Sequence, residues 1–209
     1  MALIPTRLTP ALVAEFVGSG HWPNATLGDV LRHQARRRPD HTAVVDGRGR
    51  LTYAALDALA DRVASGLRRR GVAPGDVVSC VLPNRSEAVA LFYAVARLGA
   101  VWNPIVPIYG AREIRFILRQ TESVAVVVPA HFRGVDYPAL LARLAPDVPA
   151  LRHTFVLDDT FPETLLGPAG PPGAGPAPDD VAVILYTSGT TADPKGVLHS
   201  HNTLLCECR

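Results

Sequence analysis

The chain has 209 residues, 48% hydrophobic and 19% charged, with a formal net charge of +2. That apolar share can fill a sizeable core and argues against wholesale disorder. The length predicts one domain or at most two, and so small a net charge, with no dominant basic stripe, argues against nucleic acid as a partner. In chain order, Thr26 reads as the N-cap of a helix from Leu27 to about Arg37, ended by Pro39. A short strand follows over Thr42 to Val45, then a turn at Asp46 to Gly49 into Leu51-Thr52-Tyr53. The clearest helix carries Leu56, Leu59, Ala60, Val63 and Leu67 at three- and four-residue intervals and stops at Gly71.

Strand and helix then alternate. Strands are predicted over Val77 to Val81, Val101 to Val106, Val124 to Val128 and Thr154 to Leu157. Helices are predicted over Ser86 to Leu98, Ala111 to Thr121 and Tyr137 to Leu144. This order predicts an α/β fold with a mostly parallel sheet flanked by helices. The triplets Arg36-Arg37-Arg38 and Arg68-Arg69-Arg70 fall at helix ends, where cations offset the negative end of the dipole. Residues 167–178 alternate Pro, Gly and Ala, a composition that reads as an exposed, poorly ordered linker. The expected division is an N-terminal α/β subdomain over 1–166, that linker, and a terminal unit over 179–209.

Three cysteines give no disulfide framework, and Cys206 and Cys208 with His199 and His201 make a poor zinc set. A reduced, cytoplasmic protein is the expectation. Glu15 interrupts the apolar residues of the first eighteen, unlike a signal peptide, and no run reaches the roughly 18 apolar residues of a membrane span.

The terminal unit carries the chemistry. Val181 to Tyr186 is a near-continuous apolar strand, and it delivers Thr187-Ser188-Gly189-Thr190-Thr191-Ala192-Asp193-Pro194-Lys195-Gly196. Glycines permit close approach of backbone N–H groups, hydroxyls add donors, and an ammonium adds charge. A polyphosphate is the natural guest of such a nest. The order is not Walker A, which places Gly-Lys before Ser or Thr. Ser200 is expected to cap a short final helix of about nine residues from His201, its N-terminus toward the same phosphates. The Val181 to Tyr186 strand is expected to lack a neighbour and to expose an apolar edge.

This loop resembles the phosphate-binding signature of the adenylate-forming superfamily, T-S-G-T-T-G-x-P-K-G, and departs from it at Ala192. Three further segments are similar to acyl-CoA synthetases: Leu51 to Leu56, Gly71 to Val77 and Leu98 to Pro104. The resemblance runs from about Thr26 to Leu204 and covers only the first part of a family member, the N-terminal portion of its large domain. It implies ATP-dependent activation of a carboxylic acid through an acyl-adenylate, followed by thioester formation with CoA. Thr187, Ser188, Gly189, Thr190, Thr191, Lys195 and Gly196 would hold the ATP phosphates, with Lys195 an anchor and not a base. No catalytic residue or metal ligand is expected within the chain, because the family's Mg2+ and CoA contacts lie further on. Substrates would be a small-molecule carboxylate, ATP and CoA. Alternatives are a catalytically silent protein, half of a split enzyme with a complementing C-terminal chain, or part of a peptide-synthetase adenylation domain.

Overall fold

The computed structural model describes residues 6–158, 161, 163–168, 173–187 and 194–208. Its first helix, α1 (Pro10–Gly18), is capped by Thr9 and opens on a proline, whose fixed φ suits the first helical position. The sequence reading missed it, although Thr9-Pro10 is a start signal. Helix α2 (Leu27–Arg37) begins with a reciprocal box in which Thr26 and Asp29 satisfy each other's backbone N–H groups. Strands β1 (Thr42–Asp46) and β2 (Gly49–Thr52) form an antiparallel hairpin leading into α3 (Tyr53–Arg69). The arginine triplets do lie at the ends of α2 and α3.

The central sheet then builds as predicted. Four of its strands are β3 (Val77–Cys80), β4 (Val101–Pro104), β5 (Ala125–Pro129) and β8 (His153–Leu157), all parallel where they pair with one another. Between them lie α4 (Ser86–Leu98), α5 (Ala111–Gln120) and α6 (Tyr137–Leu144). A small hairpin, β6 (His131–Phe132) with β7 (Val135–Asp136), leads into α6 and carried no sequence signal beyond Arg133-Gly134. Strand β4 ends at Pro104, short of Val106, since proline has no N–H for a ladder.

Alternation of side chains places one core on each face. On one, Val78, Cys80, Trp102, Ala125 and Val127 pack with Leu27, Leu31, Leu56, Val63, Leu67, Leu91 and Leu98 of α2, α3 and α4. On the other, Val126 and Val128 pack with Ile114, Ile117 and Leu118 of α5 and Leu140, Leu141 and Leu144 of α6. Under the first layer Arg97, almost wholly buried, donates to Asp61 at 2.7 Å and also pairs with Asp57. Gly28 admits the stem of Arg97, for a Cβ there would lie 2.9 Å from Arg97 Cγ.

The terminal unit and the linker each correct an expectation. Val181–Thr187 is β9, and it is not a lone edge: β4 flanks it in parallel and β10 (Lys195–Ser200) in antiparallel. The sheet order is β10-β9-β4-β3-β5-β8. Lys195 to Ser200 carries little strand signal of its own, since Lys and Gly are depleted in strands. Gly167, expected at the start of an exposed linker, is buried, and its N–H donates to Arg62 O at 2.8 Å. Gly66 makes room there, since a Cβ on it would meet Leu165 O at 1.9 Å. Residues 169–172 of the expected linker lie outside the described residues.

Candidate functional site

Strand β9 runs parallel to β4, so Thr187 at its end stands at the carboxyl ends of the parallel strands, where open α/β sheets bind ligands. Because β10 returns antiparallel, the segment between the two strands is the connection of a β-hairpin. Thr187 and Lys195 are register partners at its two stems, and Thr187 Oγ1 donates to Lys195 O at 3.5 Å. Both side chains are exposed. Ser188, Gly189, Thr190 and Thr191, like Ala192, lie outside the described residues.

Gly196 pairs with Tyr186 across the hairpin. A Cβ at 196 would lie 3.0 Å from Ile184 Cγ2 and 3.3 Å from Tyr186 Cζ, so the absent side chain lets the Tyr186 ring rest against this backbone. The Tyr186 hydroxyl donates to Gln120 Oε1 at 2.6 Å, tying the hairpin to the last residue of α5. Burial pushes this phenol up to about 12, so it is a neutral donor at physiological pH. Sequence reading missed Gln120, whose only signal was its place at the end of a helix.

Helix α7 (His201–Cys206) is six residues long and starts from Ser200, whose side chain accepts from Thr203 N. Ser200 pairs with Val181 at the start of β9, while Lys195 pairs with Thr187 at its end. At roughly 3.4 Å per residue, the helix N-terminus is about 20 Å from the phosphate-loop stems. The expectation that it points at the phosphates is therefore wrong, and the antiparallel return of β10 is the reason.

His201 and Asn202 instead hold the hairpin's far end. His201 Nδ1 accepts from Leu27 N at 3.2 Å, and burial lowers this imidazole to about 4 against the pull of Asp180 and Asp29. Asn202 accepts from Asn24 N at 2.9 Å and donates to Asp179 at 2.8 Å. The arrangement is a rigid two-stranded arm, anchored at its base in the core, that presents hydroxyl and ammonium donors at its tip. Exposed Thr187 and Lys195 suit a polyanion at that tip. Among the described residues no acidic, histidine or cysteine group forms a metal site, and no helix is long and apolar enough to cross a membrane.

A mostly parallel sheet flanked by helices, with this hairpin at its carboxyl edge, is the fold of the N-terminal domain of adenylate-forming enzymes. Residues 31–209 match the model of the AMP-binding enzyme family, and the chain belongs to that family. It is 34% identical over 200 residues to the salicyl-AMP ligase / salicyl-S-ArCP synthetase of Mycobacterium tuberculosis, covering 90% of this chain and 35% of that protein. It is 37% identical over 182 residues to the long-chain-fatty-acid–CoA ligase FadD13 of the same species, covering 85% and 35%. Among solved structures, apo MbtA of Mycobacterium smegmatis superposes with a TM-score of 0.84 at 32% identity, covering 96% of this chain and 38% of that one. The chain thus spans about a third of the length of these curated relatives. Relatives include acyl-CoA ligases, aryl-AMP ligases and peptide synthetases.

Proposed function

We propose that this chain supplies the ATP-phosphate grip of an AMP-forming carboxylate–CoA ligase. The observation that carries the reading is the pairing of Thr187 with Lys195 at the stems of a hairpin on the sheet's carboxyl edge. ATP contributes an α-phosphorus for attack by a carboxylate oxygen and a pyrophosphate leaving group. The chain's part is to bind and orient that leaving group. The hydroxyls of Thr187, Ser188, Thr190 and Thr191, backbone N–H groups at Gly189 and Gly196, and the Lys195 ammonium would be the donors toward the charge that grows on it. Lys195 acts as a point charge on the phosphates and not as a base. Mg2+, CoA and the carboxylate would be held by regions outside this chain, either in continuous sequence or in a complementing C-terminal chain. The unit 179–209 would act as the arm and 1–166 as its platform, within the cytoplasm.

A second reading shares the first half-reaction and differs in the acceptor. The relative named salicyl-S-ArCP synthetase favours a thiol acceptor other than CoA. Carboxylate-dependent exchange of pyrophosphate into ATP, measured on a protein containing this chain, tests the shared step. Exchange followed by CoA thioester supports the first reading, and exchange with transfer only to a carrier thiol supports the second. No exchange with any carboxylate makes the chain catalytically silent.

A further inference from the structure

Tyr186 sits between the phosphate-loop stems and the helical layer. Its neighbour in sequence is Thr187, its partner across the hairpin is Gly196, and its hydroxyl reaches Gln120 at 2.6 Å. Ile184 and Tyr186 share a face of β9, and the ring lies in the space that any side chain at 196 would claim. The antiparallel ladder fixes the spacing of Thr187 and Lys195, but β4 pairs with β9 only at Trp102 and Val183, so strand pairing alone leaves the end of the arm some freedom to tilt against the helical layer. A contact from the tip of the arm to a helix removes that freedom, and among the described residues the hydroxyl of Tyr186 makes it.

We propose that Tyr186 is a positioning residue for the phosphate loop: seated on Gly196 and tied to Gln120, it sets the direction in which Thr187 and Lys195 leave the sheet. This inference rests on the reading of the loop as a polyphosphate site. The tie is made to α5, whose inner face is locked by Ile114, Ile117 and Leu118, so the reference is a rigid one. Gly196 in the motif then serves packing as well as any direct contact with phosphate.

The test compares the full chain with its Tyr186→Phe, Gln120→Ala and double variants, using inorganic tripolyphosphate as probe in a 31P NMR titration. Tyr186→Phe keeps the ring on Gly196 and removes only the donor, so the fold survives. Each single variant is expected to weaken tripolyphosphate binding about 2- to 10-fold, the range of one hydrogen bond. The double variant is expected to be no weaker than Tyr186→Phe, because both changes break the same tie. Thermal midpoints are expected to stay within a degree or two, which separates positioning from a general loss of stability. Binding that persists unchanged in Tyr186→Phe, or losses that add in the double variant, overturns the inference alone. Failure of the unmodified chain to bind tripolyphosphate overturns the phosphate-site reading, and the inference falls with it.

Discussion

The imidazole Nδ1 of His201 accepts the backbone N–H of Leu27 at 3.2 Å, joining the final helix to the first turn of α2 across 174 positions of sequence. Only a neutral imidazole can accept there. The arm's base therefore depends on a group that is neutral by virtue of burial, with Thr26, Asp29 and Asn24 around it.

That dependence has a pH sign. His201 titrates at about 4 in the fold against 6.5 when free, so above 6.5 both states are neutral and its contribution is whole. As pH falls from 6.5 toward 4, the unfolded chain takes up the proton first and stability is lost, by up to about 3 kcal/mol. Asp29 acts at lower pH: burial pushes its carboxyl up, but hydrogen bonds from Thr26 outweigh this and hold it below its free value of 3.8, so its contribution is lost mainly as pH falls below about 4. Urea midpoints between pH 7 and pH 4 are expected to fall more steeply for the unmodified chain than for His201→Gln. Parallel slopes would remove His201 as the cause.

Lys195 is exposed at the arm's tip and makes no packing contribution to the core. Lys195→Ala is expected to leave the urea midpoint within about 0.5 kcal/mol of the original. In an enzyme containing this chain it is expected to slow pyrophosphate exchange roughly 100-fold, as loss of one preorganised donor does. Unchanged exchange would take away the anchoring role.

Gly66 faces the backbone of the segment that follows Phe161. With Leu165 O only 1.9 Å from where a Cβ would stand, Gly66→Ala forces backbone apart from α3 and is expected to cost about 3 kcal/mol. Gly18, with nothing within 4 Å, is the control, and Gly18→Ala is expected to be neutral or slightly stabilising. Comparable midpoints for the two variants would show that the 161–167 segment does not dock on α3.

Arg97 is buried against Asp57 and Asp61 on α3, with Arg32 3.8 Å from Asp61. Arg97→Met removes the cation and leaves two carboxylates one helical turn apart, partly shielded from water. A loss of about 3 kcal/mol is expected. Adding Asp57→Asn and Asp61→Asn to Arg97→Met is expected to recover part of it, as read by thermal midpoints. No recovery would mean that lost packing of the arginine stem, and not stranded charge, sets the cost.

Much of this was legible in the chain. Leu56, Val63 and Leu67 repeat with helical period, and Val77 to Cys80 and Ala125 to Pro129 are apolar runs of strand length, so α3, β3 and β5 follow from local pattern. The strand Val181 to Tyr186 before the hydroxyl-rich segment was legible as an apolar run of strand length. Helix α1 is legible too, in the hydroxyl cap and proline start of Thr9-Pro10.

By itself, the sequence determined the alternation of elements and the mostly parallel sheet flanked by helices, because both are written in periodicity. Tertiary structure alone decided where Thr187 and Lys195 stand. Lys195 to Ser200 has weak strand propensity, yet it pairs with β9 because an unpaired ladder edge is available there. That pairing sets Thr187 opposite Lys195 and sends α7 to the opposite end of the sheet. It also joins Tyr186 to Gln120, 66 positions apart, and His201 to Leu27, 174 apart, contacts that no local pattern encodes.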